Sequence, residues 1–239
     1  MPSSTVYNLL EACREPNCPI CRLEQQSVER YLDNQFYENV NSTRWRDGLR
    51  ASLGFCHEHA WLGIDKRLGD ALGYSIIYRD VVNSVLTQLA DSGSPATESR
   101  RRTSLLRQLP ESAKDRIEKI LSSLTPHKRC PVCKQRDEAT HIYLSVLVKE
   151  LQTPEMINAL QTSDGLCLPH LRLALEQVKD LSARERLINL HRAKLESLRN
   201  ELDEFIRKND YQAIQEGFGR EGDAWLRAVS MIAGARKGR

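Results

Sequence analysis

Cys18-Pro19-Ile20-Cys21, with Gly54-Phe55-Cys56-His57-Glu58-His59 further along, is the stretch from which the fold is read. The pattern occurs twice. Cys130-Pro131-Val132-Cys133 repeats the first half at an offset of 112, and Gly165-Leu166-Cys167-Leu168-Pro169-His170 repeats the second at 111. Both copies read CPxC followed by GxCxxH. Cys21 is separated from Cys56 by 34 residues and Cys133 from Cys167 by 33. Tyr31-Leu32 and Tyr143-Leu144 keep the 112 offset in between. Two matching four-ligand patterns one gap out of register are what a duplicated unit leaves in a sequence.

The intervening segments read as helices. Val28, Leu32 and Phe36 fall at helical spacing, and so do Leu144, Leu147, Val148 and Leu151. After the first GxCxxH, the residues Tyr74, Ile77, Tyr78, Val81, Val82, Val85 and Leu89 mark one helix face. After the second, Ser182 with Glu185 forms a capping-box pattern. It opens a helix to about Ile206, with a seam of Ile188, Leu195, Leu198, Leu202 and Phe205 and with His191 in the remaining slot. Strand-type alternation is almost absent. The expected fold is all-α, an internally duplicated helical bundle with two Cys3His zinc-knuckle sites. The organisation expected is a first repeat over 1–90, a basic linker with a short helix over 91–129, a second repeat over 130–208, and a C-terminal loop and helix over 209–239 that packs on the repeats. In the linker, Pro110 opens a helix with Ala113, Ile117, Ile120 and Leu124 on one face. In the last segment, Asp223 caps a helix packed through Trp225, Leu226, Val229 and Ile232.

Composition narrows the class. The chain has 239 residues, 28% of them charged, which suits a folded globule rather than a disordered chain. No apolar run reaches the roughly 18 to 20 residues of a membrane helix, and the first residues carry no secretory pattern. A soluble cytoplasmic protein without membrane contact is expected. Seven cysteines in a reducing compartment do not make a closed disulfide framework. The formal net charge is +3, and it is concentrated: residues 101–134 hold 9 basic and 3 acidic residues.

Cys-x-x-Cys turns two thiolates toward one point, and Cys-x-x-His at a helix start supplies the other two donors of a tetrahedron. The spacing assigns one metal site to Cys18, Cys21, Cys56 and His59, and another to Cys130, Cys133, Cys167 and His170. Two zinc ions per chain are expected. Three thiolates and a neutral imidazole leave each zinc site with a formal charge of about −1. Helix N-termini are expected to stabilise that charge through N–H groups aimed at sulfur, helped by Arg14, Arg22, Lys128, Arg129, Lys134 and Arg136. Protein fills every ligand position, so the sites read as structural rather than catalytic. Iron or an iron–sulfur cluster is the alternative cofactor, since a three-Cys, one-His set can hold iron. Buried reduced thiols and a glutaredoxin-like redox pair explain less, because neither accounts for the paired histidines.

Other residues carry weaker signals. His57 could replace His59, but it aligns with Leu168. Cys13 has no counterpart and reads as a core thiol; His127 and His141 read as non-ligands, and His191 as a packed, hydrogen-bonded core histidine. Gly217-Phe218-Gly219-Arg220-Glu221-Gly222 is formally GxGxxG but follows a helix rather than a strand, so it reads as a turn. No nucleophile or general base can be nominated. The function expected is a non-enzymatic interaction or scaffold module, with a protein partner possible; an iron–sulfur or iron-binding redox protein is the alternative, and an enzyme with a pocket between the copies stays open. Nucleic-acid binding through Arg100, Arg101, Arg102, Arg107, Lys128 and Arg129 is a weaker alternative, because phosphate binding rests on more positive charge than this chain carries.

The doubled CPxC and GxCxxH, the stretch Glu204-Phe205-Ile206-Arg207-Lys208-Asn209-Asp210-Tyr211 and the closing Glu221-Gly222-Asp223-Ala224-Trp225-Leu226-Arg227-Ala228 together resemble an uncharacterised bacterial domain-of-unknown-function family. The resemblance covers nearly the whole chain. It implies an all-helical, cysteine-rich architecture and brings no activity.

Overall fold

Prolines and short polar side chains set the helix starts. Pro19 and Pro131 each stand first in a twenty-residue helix, where a missing N–H costs nothing. Ser3, Ser42, Thr153 and Asp180 cap four others by accepting a main-chain N–H. The computed structural model describes residues 3–93, 113–211 and 213–236. Among these are eleven α-helices, two short 3-10 turns and no strand. The helices are α1 (Ser4–Cys13), α2 (Pro19–Glu38), α3 (Thr43–Ala51), α4 (His57–Asp65), α5 (Ala71–Gly93), α6 (Ala113–Ser123), α7 (Pro131–Glu150), α8 (Pro154–Thr162), α9 (Leu168–Gln177), α10 (Leu181–Lys208) and α11 (Ala224–Ala233). The fold is all-α. The run α2 to α5 is matched by α7 to α10: two twenty-residue helices, then two of nine residues, then a helix begun by Cys-x-x-His, then a long one.

The chain forms two compact units, residues 1–28 with 136–239, and residues 29–135. They are not coextensive with the two sequence repeats: the first knuckle lies in the unit that holds the second GxCxxH, and the second knuckle in the unit that holds the first. Helices α2 and α7 each contribute to both units.

In the first unit one apolar core runs through α1, the start of α2, α7, α8, α9 and α10. Leu9, Ile20, Leu23, Leu144, Leu147, Met156, Leu160, Leu166 and Leu187 are almost wholly removed from water. In the second unit aromatic rings dominate. Phe36 meets Trp45 edge-on at 5.8 Å and Tyr74 at 4.3 Å between centroids, and Phe55 packs edge-on against Tyr78 at 6.3 Å. Asp80 on α5 accepts from Arg46 and Arg50 on α3. The hydrogen bond from Arg46 leads in holding that carboxyl below its ordinary pKa.

Several details depart from the pattern-based reading. Asp180, not Ser182, caps α10, since its carboxylate accepts the Ser182 N–H at 3.0 Å. The buried seam of that helix is Ala183, Leu187, His191 and Leu198, while Ile188 is exposed. On α5, Ile77 and Val81 are buried but Val82 faces solvent. Ile117 and Leu124 on and beside α6 are exposed, and so are Trp225, Leu226, Val229 and Ile232 on α11. A helical period shows that a face is apolar; it does not show that anything covers it. Pro110, Arg100, Arg101, Arg102 and Arg107 lie outside the described residues. No described helix is long and apolar enough to cross a membrane.

Candidate metal centres

Each Cys-x-x-Cys and each Cys-x-x-His stands at a helix start, where the first and fourth residues project toward one side. Cys56 and Cys167 are the N-cap residues of α4 and α9, in extended conformation, with His59 and His170 three residues inside. A glycine two residues earlier makes the turn: Gly54 and Gly165 have φ of +90° and +84°, which a side chain would strain. Cys18 and Cys130 directly precede the prolines that open α2 and α7. The carbonyl of each leading cysteine accepts the first helical N–H: Arg22 to Cys18, Ala60 to Cys56, Lys134 to Cys130, Leu171 to Cys167.

The eight residues gather in two groups, but not as the spacing suggests. Cys18, Cys21, Cys167 and His170 form the first, within the first unit. Cys56, His59, Cys130 and Cys133 form the second, within the other. Ligand sets closed within each repeat are thus corrected to sets exchanged between repeats. Hydrogen bonds lie beside each exchanged pair. The Asn17 N–H, just before the first knuckle, donates to Asp164 Oδ2 at 2.7 Å, just before the second GxCxxH. In the second unit, the His127 and Lys128 N–H groups, just before the second knuckle, both donate to the Ala51 carbonyl at 2.9 and 3.0 Å, just before the first GxCxxH.

The ligand atoms lie close enough for each group to hold one metal ion. Bonds of about 2.3 Å to sulfur and about 2.05 Å to nitrogen place sulfurs ~3.8 Å apart and sulfur ~3.6 Å from nitrogen. In the first group Cys21 Sγ lies 3.6 Å from Cys167 Sγ, and His170 Nδ1 lies 3.1, 3.4 and 3.5 Å from Cys167, Cys21 and Cys18. In the second, Cys56 Sγ lies 3.5 Å from Cys133 Sγ, and His59 Nδ1 lies 3.2, 3.3 and 3.9 Å from Cys56, Cys133 and Cys130. All the ligand atoms in each group lie within 4.8 Å of one another. The first group is fully buried, while Cys56 and Cys133 of the second are partly exposed.

The first group carries an outer support that the sequence did not reveal. His170 Nε2 donates to Glu24 Oε1 at 3.0 Å, and Thr140 Oγ1 donates to the same oxygen. Glu24 is only 7% exposed. A carboxylate on the far nitrogen fixes the tautomer and aims Nδ1 at the metal position. Its one sequence signal is an acid inside the apolar start of α2, between Leu23 and Val28, and that is too common to single it out. Burial pushes the Cys18 thiol up, whereas hydrogen bonds from Cys167 and Cys18 pull Cys21 strongly toward thiolate. Burial works to keep the His170 imidazole neutral, but the Cys167, Cys21 and Glu24 acceptors outweigh it and raise its pKa to about 11. A metal ion entering the group would have to displace that proton.

Neither Cys56 nor Cys167 caps its helix through sulfur. Arg14 pairs with Glu11, Arg22 reaches Glu15 and the Pro16 carbonyl, and Arg136 turns to Asp137. A main-chain donor to sulfur comes instead from Ala235, whose N–H lies 3.4 Å from Cys21 Sγ.

The remaining candidates fall outside both groups. His57, His127 and His141 are exposed. Cys13 is a core thiol whose pKa burial raises to about 11. In the glycine-rich turn, Glu221 accepts the Gly219 N–H at 2.8 Å and the Lys208 ammonium at 2.7 Å.

His191, 2% exposed, accepts the Leu166 N–H at Nε2 (2.8 Å) and gives its Nδ1–H to the Leu187 carbonyl (2.8 Å). It thus braces the turn into Cys167 while neutral. Burial, the leading cause, lowers its pKa. The native state then binds fewer protons than the unfolded chain, whose histidine titrates near about 6.5. The contribution to stability is complete above that value and is lost as pH falls through the lower native value. Urea midpoints measured between pH 7 and pH 5 should drop further for the wild type than for His191→Gln. Protonation of the metal ligands is common to both proteins, and equal slopes would contradict the role.

A model for a family of unknown function (DUF6062) matches residues 6–238. The chain belongs to this family. The DUF6062 chain is also similar to an uncharacterised 23.9 kDa protein in the xynA 3′ region of Caldicellulosiruptor sp. (strain Rt8B.4). The two are 26% identical over 233 residues, covering 95% of this chain and 100% of that protein. No solved structure matches this DUF6062 chain.

Proposed function

We propose that this DUF6062 protein binds two zinc ions, one in each exchanged Cys3His set, as structural centres of a non-enzymatic interaction or scaffold module. The observation that carries the reading is the spacing: three sulfurs and one imidazole nitrogen at single-ion distances, twice. Four protein donors close each tetrahedron, leaving no position for the water that a catalytic zinc needs. Donors all within 4.8 Å suit one ion better than an iron–sulfur cluster, whose ligands attach to different iron atoms. Each ion would tie a knuckle from one repeat to a helix start from the other, so binding energy becomes folding energy.

The test is metal analysis and a visible spectrum on one anaerobically purified sample. Two zinc ions per chain and no colour are expected. A folded protein without metal would overturn the reading, and an absorbing, iron-loaded protein would replace zinc with iron.

A further inference from the structure

The C-terminal segment, which the metal reading does not use, runs directly over the first centre. Helix α11 packs against α9 and α10. Arg227 fastens it through Glu201 on α10 and through Asp223 and the Arg220 carbonyl. At the end of the helix Gly234 takes a φ of +95°, which turns the chain onto the ligands. A Cβ built at Gly234 would lie 3.6 Å from Cys21 Sγ and 3.9 Å from Cys167 Sγ. The Ala235 N–H then donates to Cys21 Sγ at 3.4 Å, and the Ala235 side chain packs against the core. A main-chain donor to a thiolate is a charge-assisted bond; it shares the sulfur's negative charge and keeps water from it.

Beyond the Arg227 bonds, the apolar part of this attachment is modest, with Ala228 and Met231 half-buried. Only Ala224 of α11 is buried, and Trp225, Leu226, Val229 and Ile232 all face solvent. A helix held by so little apolar contact opens locally at a lower cost than the core behind it. The geometry points to the segment from Gly234 to Arg236 as a detachable cover whose opening sets how fast the first metal ion exchanges and how readily Cys21 reacts. This rests on the metal-binding reading for the ion and on the geometry alone for the thiol.

Two variants test it in the full chain: deletion of residues 234–239, and Ala235→Pro, which removes the donor N–H. Metal content is measured first. Release is then followed with a chromogenic chelator, and N-ethylmaleimide labelling of each cysteine is followed by mass spectrometry, with circular dichroism as the check on folding. One of the two ions should leave roughly tenfold faster or more in both variants, the scale on which outer-shell partners hold a metal. Cys21 labelling should accelerate while Cys56 and Cys133 keep their wild-type rates. Unchanged Cys21 labelling and release overturn the cover. If the purified wild type holds no metal, the zinc reading fails and the labelling of Cys21 still decides the cover. If the deletion unfolds, Ala235→Pro decides.

Discussion

A chain carrying Cys18→Ser, Cys21→Ser, Cys167→Ser and His170→Gln keeps one metal ion, whereas one carrying Cys18→Ser, Cys21→Ser, Cys56→Ser and His59→Gln keeps none. The first set removes one whole group of donors and leaves Cys56, His59, Cys130 and Cys133 intact. The second removes half of each group, leaving two donors at either site. Structural zinc binds such sets with an apparent free energy of about 10–16 kcal/mol, so the losses are all-or-none in native mass spectrometry. Sites closed within each repeat would give the opposite pattern. The experiment thus reads the exchange of ligands directly, separately from the identity of the metal.

Glu24→Gln weakens the first ion by about 10- to 100-fold and leaves the second at its wild-type affinity. The glutamine keeps the size of the side chain but removes the charge that faces His170 Nε2 at 3.0 Å. Thr140 donates to the same oxygen, so Thr140→Val should act in the same direction with a smaller effect. Competition against a chelator of known affinity measures both ions. Equal affinities in wild type and Glu24→Gln would show that Glu24 only fills space.

The all-helical class and the eight clustered residues could be read from the sequence because their signals are local. CPxC before a helical period and GxCxxH before another are each complete within a few residues, and Gly54 and Gly165 already mark the positive-φ turn. The partnership between the motifs is not local. Spacing favoured the nearer partner in each repeat, yet a twenty-residue helix rises about 30 Å, so a motif beyond its end need not return to its start. The start of α2 belongs to one compact unit and its end to the other. The ties beside each pairing, Asn17 to Asp164 and His127 and Lys128 to Ala51, are isolated hydrogen bonds from main-chain N–H groups and leave no pattern to read.

Glu24 was hidden for a related reason. Its partners, His170 and Thr140, are both more than a hundred positions away. Periodicity also failed where it was asked about cover rather than about helix. The stripe on α11 is real, but Trp225 remains 51% exposed. The seam of α10 runs through Leu187 rather than Ile188, because what the neighbouring helices cover decides which apolar residues are buried.

Anomalous diffraction at the zinc absorption edge tests the central claim most directly. The account predicts two peaks per chain, one among Cys18, Cys21, Cys167 and His170 and the other among Cys56, His59, Cys130 and Cys133. Sulfur should lie at about 2.3 Å and the histidine Nδ1 at about 2.05 Å from each ion. Peaks ligated within single repeats, or no peak in a folded protein, would contradict it.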